Sequence, residues 1–217
     1  MLTPRIHLAL DASAGPASVA LFVDGQLVQA RRIDRKGSAE LLAPTIAELL
    51  AVERMHAREL TDIIVGAGPG SFTGLRVAAA LAKGLARGAG ATLHAAPSLP
   101  MIAAAAEDCA AAIYLNVLDA LRGEWFVQRS TKHADGRWTV DGTVERLPID
   151  VVRTRATALG ALIVGPPVMP EQQPDARSAL LIGTQVVSLD TWEPDYGRLA
   201  EAQVQWEATH ARALPAS

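Results

Sequence analysis

Thr61-Asp62-Ile63-Ile64-Val65 runs directly into Gly66-Ala67-Gly68-Pro69-Gly70-Ser71-Phe72-Thr73-Gly74-Leu75-Arg76. The apolar run 61–65 has the length and branching of a buried strand. The glycines and proline that follow permit a tight turn, and an Ala-rich helix is predicted from there to about Arg87. Gly88-Ala89-Gly90 ends it, as glycine does at helix C-termini. A glycine-rich turn ahead of a helix can bind an anion through its backbone N–H groups or can be a structural turn. Two phosphate-binding patterns fail: no Lys follows a glycine of this loop as Walker A requires, and Ser71 stands where G-x-G-x-x-G needs its third glycine. No acidic residue lies between Arg76 and Ala106 to hold a ribose.

Upstream, strands are predicted at 6–11, 17–23 and 26–34, with Asp24-Gly25 as a two-residue hairpin signal. A helix is predicted over 38–55, capped by Ser38, with Pro44 bending it or marking a late start. Downstream, 91–95 reads as a strand and 97–108 as an Ala-rich helix. Strands are predicted at 112–117, 124–131 and 138–146, with a hairpin at 133–137. The Pro-rich run 165–175 reads as a loop, and 178–188 fits strand or helix equally. No internal sequence repeat is visible. The order βββαβαβ implies a mixed sheet with an antiparallel meander at one edge and parallel strands beyond. The expected domains are an N-terminal lobe over 1–100 and a smaller lobe over 101–195, with a tail, 196–217, packing back.

The 217 residues are half hydrophobic, enough to bury one large domain or two small lobes. Twenty Lys+Arg against 23 Asp+Glu leave a net charge of −3, which argues against a broad nucleic-acid-binding face. Aromatic residues are 4%, too few for a base-stacking platform. A single cysteine, Cys109, excludes an intrachain disulfide and a Cys-based zinc site. Its acidic neighbours Glu107 and Asp108 would raise its pKa, so an inert thiol is expected. The five histidines share no metal-binding spacing, so no metal site is expected and His7 and His94 read as structural. No signal peptide or spanning helix is recognised, and the expected location is the cytoplasm.

The helix after the loop carries Arg76, Lys83 and Arg87 on one face and Gly74, Ala78, Leu81, Ala82 and Leu85 on another. Leu41, Leu42, Ile46, Leu49 and Leu50 make a second stripe on the 38–55 helix. These stripes serve either the chain's own sheet or a partner. Asp119-Ala120-Leu121-Arg122-Gly123-Glu124 reads as a polar turn stiffened by an internal Asp–Arg or Arg–Glu pair.

The strand order resembles a lobe of the actin/Hsp70/sugar-kinase (ASKHA) architecture, in which an acid at the position of Asp11 helps bind Mg²⁺. The second half lacks the matching phosphate hairpin and adenine site, so it is expected to be degenerate. Gly68-Pro69-Gly70-Ser71-Phe72-Thr73-Gly74-Leu75-Arg76 further resembles the signature of the TsaB (YeaZ) family. Leu10-Asp11-Ala12-Ser13, Ser18-Val19-Ala20-Leu21, Glu40-Leu41-Leu42, the turn at 119–124 and Tyr196-Gly197-Arg198 support it. The resemblance implies a non-catalytic subunit in tRNA threonylcarbamoyladenosine synthesis. Such a subunit would dimerise with TsaD through helices 38–55 and 73–87, work with the ATPase TsaE, and form a homodimer when alone. It also implies contact with tRNA only through the complex, and no cofactor of its own, ATP and Mg²⁺ entering through TsaE and TsaD. The His-x-x-x-His pair of TsaD is absent here, and Gly37-Ser38-Ala39-Glu40 replaces the family's acid-His-Thr/Ser helix start.

Two functions are therefore carried forward. One is an activating subunit whose contact is Leu41, Leu42, Ile46, Leu49, Gly74, Ala78, Leu81, Ala82 and Leu85. The other is a nucleotide-dependent transferase or hydrolase, or a peptidase, using Asp11, Ser13 and the loop Gly68, Pro69, Gly70, Ser71, Phe72 and Thr73, with Arg76 bracing it.

Overall fold

The computed structural model describes residues 3–34, 37–106 and 109–197. The meander forms as the alternating pattern requires: β1 (Ile6–Asp11), β2 (Ala17–Val23) and β3 (Gln26–Ile33) are antiparallel neighbours. Asp24 and Gly25 both take positive φ, 49° and 79°, as a type I′ hairpin turn needs. A 3-10 turn, Ser38–Leu41, leads into α1 (Leu42–Val52). Pro44 sits in the first turn of α1, where its missing N–H has no intrahelical partner to lose. Ser38 does not cap this helix; its hydroxyl donates to the Gly15 carbonyl at 2.8 Å.

β4 (Asp62–Gly66) lies parallel to β1, and β5 (Thr92–Ala96) parallel to β4, after the long helix α2 (Phe72–Ala89). Gly90 closes α2 in the left-handed conformation. The expected helix at 97–108 shrinks to α3 (Met101–Ala104), which is wedged between the two sheets. Met101 and Ala104 pack on the first sheet, Ile102 and Ala103 on the second.

The second sheet contains β6 (Ala112–Asp119), β7 (Glu124–Lys132), β8 (Trp138–Pro148) and, after α4 (Ile149–Leu159), β9 (Leu162–Val164). Three antiparallel strands, a helix, and a strand parallel to the first repeat the order of β1–β4, so a duplication invisible in the sequence is present in the topology. In the 119–124 turn, Glu124 pairs with Arg146 of β8 at 2.8 Å rather than with Arg122, because the antiparallel register sets β7 beside β8.

After the 165–175 loop the chain returns to the first lobe, so the expected lobe over 101–195 does not keep its last twenty residues. A 3-10 turn, Ala176–Ser178, and Ile182 pack on one face of the first sheet, and β10 (Gln185–Val186) adds to its edge beside β5. The first sheet therefore runs β10-β5-β4-β1-β2-β3. Its other face is covered by α1 and α2 through Leu8, Leu10, Val19, Leu21, Ile63 and Val65. Among the described residues no helix is long and apolar enough to cross a membrane. Residues 198–217, most of the expected tail, lie outside the described residues, as do Glu107 and Asp108.

Candidate functional site

The glycines between β4 and α2 face the chain's own backbone. A Cβ on Gly70 would stand 1.9 Å from the Ser13 carbonyl oxygen, and one on Gly74 2.0 Å from that of Ala12. One on Gly66 would meet Asp11 Oδ2 at 1.8 Å, and one on Gly68, whose φ is +91°, the Asp195 carbonyl oxygen at 2.1 Å. Glycine is thus required for close approach to the β1–β2 turn. Three of the loop's N–H groups are engaged within the chain: Ser71 donates to Ser13 O at 2.7 Å, Ala67 to Ala96 O at 2.8 Å and Gly68 to Ser98 Oγ at 3.0 Å. Ser71 Oγ caps α2 by accepting from Gly74 N–H at 3.2 Å. Gly68, Pro69, Gly70, Ser71 and Gly74 thus pack tightly against the rest of the chain.

Asp11 is fully buried behind this turn. Its Oδ1 accepts from Ser13 N–H at 2.9 Å and Ser13 Oγ at 2.8 Å, and its Oδ2 accepts from Ser98 Oγ at 2.6 Å. Burial pushes its pKa up, while the hydrogen bonds from Ser98 and Ser13 act the other way. Both oxygens are occupied by hydroxyls and amide, an arrangement that ties β1 to the segment after β5. Ser98 carries no motif and was not foreseen. Ser13, Gly15, Ser71, Asp119 and Phe126 line an interlobe cleft of about 280 Å³ on the far side of Asp11.

The basic face of α2 pairs with the returning chain. Lys83 Nζ pairs with Glu193 at 3.1 Å and lies 6.0 Å from the Trp192 ring centre, and Arg87 pairs with Asp190 at 2.5 Å. Arg76 stacks over Phe72 at 5.0 Å, and Phe72 meets Tyr196 at 4.7 Å between ring centres. Thr73 is exposed at the start of the helix. Asp195 N–H donates to Ala67 O at 2.8 Å, so this strap fastens α2 and the glycine turn together.

The stripes expected to meet a partner face inward. Leu42, Ile46, Leu49, Gly74, Ala78 and Ala82 are buried, and Leu41, Leu81 and Leu85 pack half-buried against the same core. A sheet face needs both helices' apolar stripes to leave water, so those side chains are committed within the chain. The outward faces are different residues: Ala43, Ala47 and Ala51 on α1, and Ala80, Gly84 and Gly88 on α2, each set at i, i+4, i+8 and exposed. Among the described residues, a Cβ on Gly84 or Gly88 would meet nothing within 4 Å, so their packing does not require glycine at either. Val52, 61% exposed, ends the α1 face.

Cys109 receives hydrogen bonds from Lys132 Nζ at its carbonyl, 2.8 Å, and its sulfur, 3.2 Å. Among the described residues no group of three or more His, Cys, Asp or Glu could hold a metal ion.

The two sheets of repeated topology, joined over a cleft beside the end of β1, define an α/β protein of the actin/Hsp70/sugar-kinase-like class with a reduced second lobe. The fold matches YeaZ from Pseudomonas aeruginosa with a TM-score of 0.76 at 23% identity, over 88% of this chain and 99% of that one. Residues 32–158 match the family described as TsaD, tRNA N6-adenosine threonylcarbamoyltransferase. This chain is 39% identical over 82 residues to the tRNA threonylcarbamoyladenosine biosynthesis protein TsaB of Haemophilus influenzae, covering 38% of this chain and 35% of that protein. It is 28% identical over 153 residues to TsaB of Escherichia coli, covering 70% of this chain and 66% of the relative. The chain thus spans between about a third and just under two thirds of the length of these relatives. It belongs to the TsaD family, in its TsaB (YeaZ) branch.

Proposed function

We propose that this chain is a non-catalytic, activating subunit in the formation of N6-threonylcarbamoyladenosine at position 37 of tRNAs reading ANN codons. It pairs with TsaD and works with the ATPase TsaE. The observation that carries the reading is the paired outward face of α1 and α2. Glycine in a helix interior costs roughly 1 kcal/mol relative to alanine. Gly84 and Gly88 accept that cost although, among the described residues, no atom lies within 4 Å of where their Cβ would stand. Small residues at i, i+4, i+8 on two neighbouring helices let another helix pair approach to about 8 Å between axes. Contact there would bias the partner toward its active arrangement, and a second copy of this chain would use the same face when no partner is present.

Two further features support an accessory role. Asp11 accepts from Ser13 and Ser98, and the Ala67, Gly68 and Ser71 amides are bonded within the chain. The net charge of −3 favours reaching tRNA through the complex rather than directly. Nucleotide and Mg²⁺ would enter through TsaE and TsaD, in the cytoplasm. Co-purification with TsaD, followed by a threonylcarbamoylation assay with and without this chain, tests the reading. A stable complex whose activity needs this chain is the expected result. Full activity without it, or Mg·ATP stabilising the isolated chain through Asp11, would overturn it in favour of an enzyme.

A further inference from the structure

Three side chains from separate elements form a continuous relay away from the glycine turn. Asp62 opens β4, His94 lies in β5, and Thr184 directly precedes β10. Asp62 Oδ1 lies 2.9 Å from His94 Nε2, and His94 Nδ1 lies 3.3 Å from Thr184 Oγ1. An ionised carboxylate only accepts, so Nε2 carries the imidazole proton and Nδ1 is left to accept from the Thr184 hydroxyl. The acid is firmly held: its side chain is 1% exposed and receives Arg5 Nη2 at 2.8 Å and the Thr61 hydroxyl at 2.7 Å, with His7 Nε2 at 3.6 Å. Burial works against its charge, but hydrogen bonds from Thr61, His94 and Arg5 outweigh it and hold its carboxyl below the ordinary value.

The hydroxyl end of the relay is open. Thr184 is exposed and lines an interlobe cavity of about 430 Å³ with Ala67, Pro97, Gln128, Val144 and Asp195. Gly183 lines it too. Gln128 is only 7% exposed, and its Oε1 has no hydrogen-bond partner among the described residues, while its Nε2 donates to Gly142 O at 3.3 Å. Thr184 thus combines a hydroxyl on a largely apolar cavity with an oriented base behind it, the arrangement of an activated nucleophile.

We propose that Thr184, His94 and Asp62 form an acyl-transfer site for small, activated carboxylic esters. Thr184 Oγ1 attacks the ester carbonyl carbon while its proton passes to His94 Nδ1, and Asp62 stabilises the imidazolium. Collapse breaks the bond to the leaving oxygen, which departs with that proton as an alcohol or phenol. Water, deprotonated by Nδ1, then cleaves the Thr184 ester, releasing the carboxylic acid and restoring the hydroxyl. A strained or good leaving group is needed because threonine is a weak nucleophile, which sets the substrate class. This activity would be separate from threonylcarbamoyl transfer, in which the chain is proposed to be non-catalytic, and from the pairing with TsaD, since none of its residues lies on α1 or α2.

The test is hydrolysis of p-nitrophenyl acetate by the full chain. The expected result is an acetyl group found by mass spectrometry on the peptide containing Thr184, and phenol release that falls at least about tenfold in Thr184→Ala, in line with the usual contribution of a base-assisted nucleophile. Thr184→Ser should restore it, and His94→Gln should lower release as Thr184→Ala does. Thr184 is exposed, so Thr184→Ala should melt with the parent chain, and it remains the deciding variant if Asp62→Asn does not fold. Unchanged release by Thr184→Ala, or acetylation confined to lysines or the N-terminus, would overturn the proposal and leave the relay as a brace for β10.

Discussion

Replacing Gly84 by Leu separates the stability of this chain from its capacity to pair. Gly84 lies in the middle of α2 on an exposed face where an added Cβ meets nothing within 4 Å. Leucine is a better helix former than glycine by roughly 0.8 kcal/mol. The isolated chain should therefore gain about 0.5–1 kcal/mol, a rise of about 2–3 °C in melting temperature for a chain of this size. In a complex, the same side chain would have to fit between helices about 8 Å apart. Overpacking of that kind costs about 1–3 kcal/mol, so affinity for TsaD should fall roughly tenfold or more. Thermal denaturation of the chain alone and titration against TsaD measure the two quantities on one protein. Tight pairing by a stabilised Gly84→Leu would refute the outward face as the interface. A melting temperature lowered by several degrees would refute the open surroundings of Gly84 itself. Gly74→Ala supplies the opposite control: its Cβ would stand 2.0 Å from the Ala12 carbonyl oxygen, so the isolated chain should lose about 1–3 kcal/mol.

Asp11→Ala leaves the Ser13 amide and the Ser13 and Ser98 hydroxyls without their acceptor in a buried site, and should cost about 3 kcal/mol by urea denaturation. A cost well under 1 kcal/mol would reopen a ligand role for this acid. Asp62, whose carboxyl is held below its ordinary value of 3.8, contributes stability that is complete above that value and lost as the pH falls through the lower folded-state value. The melting temperature should therefore drop more steeply between pH 5 and pH 2 in the parent chain than in Asp62→Asn, and parallel curves would contradict the network around it. The Lys83–Glu193 pair is largely exposed on the Glu193 side, so Glu193→Ala should change stability by less than about 1 kcal/mol. Trp192→Ala, which removes a ring packed against the core under α2, should cost about 2 kcal/mol, and equal effects of the two would mean that charge rather than packing holds the strap.

The faces of the two helices show where local reading of the chain succeeds and where it stops. Periodicity correctly marked Leu42, Ile46 and Leu49, and Gly74, Ala78 and Ala82, as stripes. It could not say which surface each would cover, because a stripe is the same pattern against a sheet or a partner. The burial of both stripes on one sheet face leaves Ala43, Ala47 and Ala51, and Ala80, Gly84 and Gly88, as the outward faces proposed for docking, and their small side chains give little hydrophobic signal. Asp11 was legible because it ends an apolar strand. Its partner Ser98 was not, since 87 residues of chain separate them.

Local chemistry alone determined the hairpin at Asp24-Gly25, the strand–turn–helix around Gly66–Gly74 and the C-terminal stop at Gly90, since turn geometry and side-chain period act over a few residues. Only the tertiary structure decided that 97–106 holds one short helix, that α4 and β9 complete a second, shorter copy of the same topology, and that 175–197 returns to strap α2. It alone brought Asp62, His94 and Thr184 into one line. Those outcomes depend on which distant surfaces leave water together, and no periodicity within a segment encodes its neighbour across the sheet.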